Sequence, residues 1–216
     1  MQIRYPDILD IDQIKDLWTL CFDDSEEFTN WFFSHRYSHE NTLAVFDDVG
    51  NIEAALQLLP YNICLHGTKT RVSYIVGVST YPEHRGKGHA KNLLYRALDI
   101  LRERGEYISI LLPFNYQFYR KYGWEICYEH MEYNTNLSNF HIQWKDKLVK
   151  LVKEAKTEDI ELLDSCYSEF MSSYNGYIDR SYDDWLRRLR DVSISGGNTY
   201  LFQQKDSLGY ISFANR

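Results

Sequence analysis

Two hydrophobic periods divide the first two thirds of the chain. Between Asp7 and Phe22, residues Ile11, Ile14, Leu17, Trp18 and Cys21 recur at helical spacing and predict an amphipathic helix. Ser25 is placed to cap a second helix, with Phe28, Trp31 and Phe32 on its apolar side. The period then shortens. Residues 42–46 and 52–58 read as strands joined through the polar turn 47–51, a further strand is expected at 61–65, and a valine-rich strand runs up to Thr80. A helix covers 91–101, the apolar run 107–112 reads as a buried strand, and residues 116–122 form a short helix ended by Gly123. Two strands, 124–127 and 131–135, are expected to close the unit.

The last third repeats the opening order. Residues 157–171 predict an amphipathic helix with Ile160, Leu163, Cys166, Tyr167 and Phe170 on one side, and 183–189 predict a shorter one. Residues 198–202 and 208–213 then form a hairpin pattern across a turn at 205–207. Helix, helix, strand, turn, strand is also how the chain begins, and Asn198-Thr199 echoes Asn41-Thr42. This gives one unit over 1–140 and, over 141–216, the first half of a second unit of the same kind, cut short. A small α+β appendage complete in itself is the alternative.

Composition narrows the function classes. A hydrophobic content of 44% with 18 tyrosines supplies a sizeable core. The formal net charge of −7 argues against non-specific nucleic-acid binding and suits a cationic or amine-bearing partner. The cysteines Cys21, Cys64, Cys127 and Cys166 are widely spaced and the histidines scattered, so no metal is expected and the thiols read as reduced, in a cytoplasmic protein. No apolar signal region opens the chain and no window approaches a membrane span, so no membrane partner is expected.

The chemistry concentrates where the valine strand meets the following helix. Gly86 and Gly88 interrupt Arg85-Gly86-Lys87-Gly88-His89-Ala90. A glycine-rich turn into a helix leaves backbone N–H groups at the positive end of the helix dipole, a ready site for phosphate. Arg85 and Lys87 add positive charge at the rim. The P-loop pattern fails because His89 and Ala90 follow Gly88, and the dinucleotide fingerprint fails at Lys91. A plain glycine turn would explain the six residues alone, but the flanking strand and helix are the context a phosphate site needs.

Arg85-x-x-Gly88-x-Ala90 resembles the acetyl-CoA pyrophosphate signature of the GNAT superfamily of N-acetyltransferases. The resemblance implies an α+β fold of α/β/α layers, a mixed, mostly antiparallel twisted sheet flanked by helices, with acetyl-CoA as co-substrate. It implies that Gly86, Lys87, Gly88, His89, Ala90 and Lys91 cradle the pyrophosphate beside Arg85. Backbone groups of Val78, Ser79 and Thr80 would meet the pantetheine arm, one N–H serving as oxyanion donor. Phe114 and Asn115 are implied as further coenzyme contacts. Tyr119, before the helix-ending Gly123, is implied as the general acid for the departing thiolate. In a chain so rich in tyrosine, a packing role is its alternative.

Thr80-Tyr81-Pro82-Glu83-His84-Arg85, Tyr119-Arg120-Lys121-Tyr122-Gly123-Trp124 and the repeated module together look like the enhanced-intracellular-survival (Eis) family within GNAT. Members have two fused GNAT-like modules followed by a sterol-carrier-like domain, and the pattern continues beyond Arg216. Their general base is a carboxylate at the end of that third domain, a position Arg216 does not match. The resemblance implies acetyl transfer to amines, aminoglycosides among them, with Asp24 facing the amine; a solvated helix N-terminus explains Asp24 equally well. The expected activity is N-acetylation of a small polycationic substrate, aminoglycoside-like or polyamine-like. A protein lysine acetyltransferase and a non-catalytic acetyl-CoA-binding module are the alternatives. The apolar strand 208–213, with nothing to cover its edge, leads to an expected homo-oligomer.

Overall fold

Ile14, Leu17 and Trp18, which share one face of the first predicted helix, are almost fully buried together with Phe32. The computed structural model describes residues 2–129, 148–152, 156–204 and 207–213. They fall in two units, Met1–Gly123 with Asn175–Asp179, and Trp124–Tyr174 with Arg180–Arg216.

The first unit opens with β1 (Gln2–Arg4), α1 (Ile11–Cys21), α2 (Glu26–His35), β2 (Thr42–Phe46) and β3 (Ile52–Leu65). It continues through β4 (Thr68–Thr80), α3 (His89–Glu103), β5 (Ser109–Leu111) and α4 (Tyr116–Arg120). The chain then passes through β6 (Leu148–Val152), α5 (Thr157–Met171), β7 (Tyr177–Ile178), α6 (Tyr182–Ile194), β8 (Asn198–Gln204) and β9 (Ser207–Phe213). The first sheet has the order β1-β2-β3-β4-β5, with β7 added on β3. All its pairings are antiparallel except β4 with β5. This is the mixed, mostly antiparallel α+β architecture expected from the sequence.

Its main core lies between the helices and the sheet. Ile14, Leu17, Trp18, Phe32 and Phe33 meet Ala44, Phe46, Ile52, Ala55 and Leu59. Burial of each large side chain contributes roughly 1.5–3 kcal/mol. Leu93, Leu94, Ala97, Ile100 and Leu101 form the buried face of α3.

The expected helix from Asp7 is instead a 3-10 turn, Ile8–Asp10, followed by α1. Asp7 is the N-cap of that turn, and its backbone N–H donates to Asp10 Oδ2 at 2.8 Å. The separate strand expected at 61–65 is the second half of β3. Pro60 does not break it, because the stretches paired by β2 and β7 stop on either side and leave that edge without a partner among the described residues. Residues 124–127 are not a strand. They have no ladder partner among the described residues, and the Ile126 N–H donates instead to the Glu125 carboxylate at 3.0 Å. The strand expected at 131–135 lies outside the described residues.

In the second unit β6, β8 and β9 form an antiparallel sheet in that order. The strand preceding two helices pairs with the first strand of the following hairpin, as β1 does with β2 and β3. Trp185, 1% exposed, anchors its core and donates from Nε1 to Asp164 Oδ1 at 2.8 Å. No helix among the described residues is long and apolar enough to cross a membrane.

Candidate active site

The site is organised by the parting of two parallel strands. β4 pairs with β5 at Ser73–Ser109, Tyr74–Ile110 and Ile75–Leu111. Beyond Ile75, residues 76–80 keep β3 on one edge and have no strand partner on the other among the described residues. The same stretch holds a β-bulge, a register shift between Ala55 and Gln57 of β3. Gly77 sits there at φ +63°, and a Cβ on it would lie 2.1 Å from Gln57 Oε1 and 2.5 Å from the Trp18 ring. Only glycine fits. An isolated glycine in a valine strand is a bulge signal that the sequence reading left unused.

Val78, Ser79 and Thr80 lie along this open edge. The Ser79 hydroxyl turns inward and donates to the Gly77 carbonyl at 3.1 Å, so Ser79 offers a ligand its backbone. The Thr80 carbonyl accepts from Arg85 Nε at 3.2 Å, which folds Arg85 back over the strand end. Unpaired strand groups in this position suit a polar, extended, amide-containing chain.

The glycine turn follows directly. Gly86 and Gly88 adopt φ +79° and +84°, and Gly88 is the N-cap of α3. No side chain caps that helix, so its first N–H groups are available to an anion at the positive end of the dipole. Arg85, Gly86, Lys87, Gly88 and Lys91 are exposed around this turn, and Ala90 is half-buried. His89 departs from the rest, because its side chain is only 4% exposed and turns inward. Its Nε2 lies 3.0 Å from Glu53 Oε2, an approach too oblique for a hydrogen bond, and Nδ1 is also without a partner among the described residues. His84 Nδ1 lies 2.9 Å from Glu53 Oε1 and 3.0 Å from Lys87 Nζ. Burial lowers the His89 pKa, with the Glu53 carboxylate opposing it. Glu53 comes from β3, so linear spacing gave no hint of the cluster.

Across the cleft between β4 and β5, Asn115 caps α4 by accepting the Phe118 N–H at 3.2 Å. This fixes the helix that carries Tyr119. Tyr119 is buried, with its ring edge-on to Phe114 and Phe118 at centroid distances of 5.7 and 5.1 Å. Burial, and then the nearby Tyr74 phenol, push its pKa up to about 12, so it stays protonated at neutral pH. Tyr74 is on β4 beside the last paired positions. Phe114 is 75% exposed next to Tyr119. Asn115 spends its side-chain oxygen on the cap.

Asp24 is exposed in the turn between α1 and α2, and its Oδ2 accepts from Trp18 Nε1 at 2.9 Å. Trp18 stacks on Phe32 at 4.5 Å and is the ring that Gly77 accommodates. Cys21, at the end of α1, donates to the Thr80 carbonyl at 3.7 Å. The structure therefore connects the Asp24 turn to the open end of β4, with the glycine turn following and Tyr119 near Tyr74.

No curated protein is a match in sequence. Many solved structures resemble the fold, among them the following three. A probable N-acyltransferase from Enterococcus faecalis superposes with a TM-score of 0.74 at 19% identity, covering 100% of this chain and 55% of that one. A GCN5-related N-acetyltransferase from Anabaena variabilis gives 0.71 at 21% identity, covering 98% and 54%. Eis1 from Mycobacterium abscessus gives 0.66 at 15% identity, covering 98% and 52%. The chain thus spans little more than half the length of these proteins. The sequence model of the acetyltransferase (GNAT) domain matches residues 2–127. With more than half of its length matched by that model, and with a strand edge, glycine turn and helix in the order the signature requires, the chain belongs to the GNAT acetyltransferase family.

Proposed function

We propose that this protein is an acetyl-CoA-dependent N-acetyltransferase acting on a primary amine of a small polycationic substrate, aminoglycoside-like or polyamine-like. One observation carries the reading. After Ile75 the open edge of β4 leads into a glycine turn suited to a pyrophosphate, and a buried, protonated tyrosine stands by the point of parting. The pyrophosphate would take the N–H groups from Gly86 to Lys91 and the charges of Arg85 and Lys87. The pantetheine arm would run along Val78, Ser79 and Thr80, with Phe114 and Asn115 flanking it.

The amine nitrogen attacks the thioester carbonyl carbon, and a backbone N–H of the open edge receives the developing oxyanion. The C–S bond then breaks, and the thiolate takes the proton held by Tyr119. The nitrogen loses its own proton to solvent or a nearby carboxylate, and solvent returns a proton to Tyr119. Asp24 would hold a second ammonium group of the acceptor, and the net charge of −7 favours such a partner. The second unit would be a module of the same kind, because β6-β8-β9 follows the order of β1-β2-β3. The exposed Ile211 and Phe213 on edge strand β9 support self-association.

The test is amine-dependent release of coenzyme A thiol from acetyl-CoA, with a polyamine, an aminoglycoside and a lysine peptide as acceptors. Release with either small polycation above the peptide supports the reading. Release with the peptide alone would transfer the activity to proteins, and acetyl-CoA binding with no release for any amine would leave a binding module.

A further inference from the structure

We propose that Glu53, His84 and His89 bind one divalent transition-metal ion of the zinc type, on the inner side of the turn that opens α3. One ligand atom from each residue can be chosen so that all lie within 4.8 Å of one another. The two oxygens of a single carboxylate face the two rings, Oε1 at 2.9 Å from His84 Nδ1 and Oε2 at 3.0 Å from His89 Nε2. Zinc holds imidazole nitrogens and carboxylate oxygens at roughly 2.0–2.2 Å in a tetrahedron. Three donors within 4.8 Å of one another are close enough to share one such centre. Three protein ligands then leave one position for water.

His89 supplies an independent reason. At 4% exposure neither of its ring nitrogens has a hydrogen-bond partner among the described residues, although one faces the carboxylate. Buried polar side chains nearly always have a partner, and an ion is one answer to a missing one. A polar cleft of about 320 Å³, lined by Asp47, Glu53, Glu83 and His84 among others, offers an entry path whose carboxylates attract cations. Two imidazoles favour zinc, copper or nickel over magnesium and calcium, which prefer all-oxygen shells.

Lys87 is the competitor. Its ammonium lies 3.0 Å from His84 Nδ1 and must leave for the ion to enter. The side chain is exposed on a flexible stem, so the displacement is easy and moves its charge outward. The ion would tie together β3, the 3-10 turn Pro82–His84 and the first residue of α3, bracing the glycine turn from behind.

The full chain, stripped with a chelator, is titrated calorimetrically with Zn²⁺ alone and with Mg²⁺ alone, and with Co²⁺ while visible absorption is followed. The expected results are one saturable Zn²⁺ site per chain, tetrahedral Co²⁺ bands and no Mg²⁺ binding. Glu53→Gln and His84→Ala should each weaken Zn²⁺ at least about tenfold, and His35→Ala should not. His84 is partly exposed, so its replacement keeps the test valid should Glu53→Gln fail to fold. Absence of saturable Zn²⁺ binding, or binding equally tight in both variants, would overturn the proposal. The cluster would then be two ordinary carboxylate–imidazole pairs, with any zinc held by thiols elsewhere.

Discussion

Gly77 on β4 and Gln57 on β3 face each other across the bulge so closely that a Cβ on the glycine would sit 2.1 Å from Gln57 Oε1. The Gln57 side chain is 1% exposed and cannot swing into solvent, and the Trp18 ring closes the other side. Gly77→Ala therefore adds an overpacked contact, worth about 1–3 kcal/mol, to a left-handed backbone penalty of about 1–2 kcal/mol. Urea unfolding should show a loss of roughly 2–5 kcal/mol. A loss below about 0.5 kcal/mol would mean that the bulge does not depend on glycine.

Gly88 contrasts with Gly77. A Cβ there meets nothing within 4 Å, so a side chain costs the protein only the left-handed φ of +84°. Gly88→Asp should keep the fold but set a carboxylate against the pyrophosphate. Like charges near 4 Å at a protein surface repel by about 4 kcal/mol, and partial screening leaves an expected loss of roughly 10²–10³-fold in acetyl-CoA affinity. Calorimetric titration reads this directly, with Gly88→Ala as the uncharged control. Equal affinity in Gly88→Asp and wild type would remove the phosphate role of the turn.

Tyr119→Phe removes one hydroxyl and little volume. If that hydroxyl protonates the thiolate, acetyl-CoA should bind as before while turnover falls roughly 10²–10⁴-fold. The pKa gives a second readout. The folded state holds the Tyr119 proton up to about pH 12, whereas an ordinary tyrosine titrates at 10.0. Stability from this group is therefore intact below pH 10.0 and lost as pH rises toward 12. Unfolding free energy should fall less steeply over that window in Tyr119→Phe. Tyr37, Tyr74 and Tyr81 are also raised by burial and sustain a residual slope. An unchanged rate together with an unchanged slope would return Tyr119 to simple packing.

What the sequence reveals is what local chemistry controls. Ser25 caps α2, with its hydroxyl accepting the Phe28 N–H at 3.1 Å, and α5 runs Thr157–Met171, the residues its periodicity predicts. Glycine in the Arg85–Ala90 turn is dictated by φ, so that motif is readable residue by residue. The errors arise where partners decide. Residues 124–127 carry a strand-like composition, but composition does not supply a ladder partner, and they have none among the described residues. The His89 ring meets Glu53 only because β3 brings that residue there, and β5 stops at Leu111, short of the apolar run. Both are tertiary facts, and the open edge and the histidine cluster follow from them.

Asp24 separates a structural carboxylate from a substrate anchor, because the Trp18 Nε1–H to Asp24 Oδ2 bond of 2.9 Å survives one substitution and not another. Asp24→Asn keeps an oxygen that can accept from the indole, so stability should stay within about 0.5 kcal/mol of wild type. The charge is lost, and with it a charged hydrogen bond to an ammonium group, worth about 1.5 kcal/mol. That corresponds to an expected rise of roughly tenfold in the amine KM with little change in kcat. Asp24→Ala removes the acceptor as well and leaves the indole N–H of a nearly buried Trp18 without its partner, a further cost of about 1–3 kcal/mol in stability. Steady-state kinetics and urea unfolding of both variants distinguish the roles. If Asp24→Asn leaves the amine KM unchanged while Asp24→Ala destabilises, the carboxylate serves Trp18 alone and the acceptor is held by other groups.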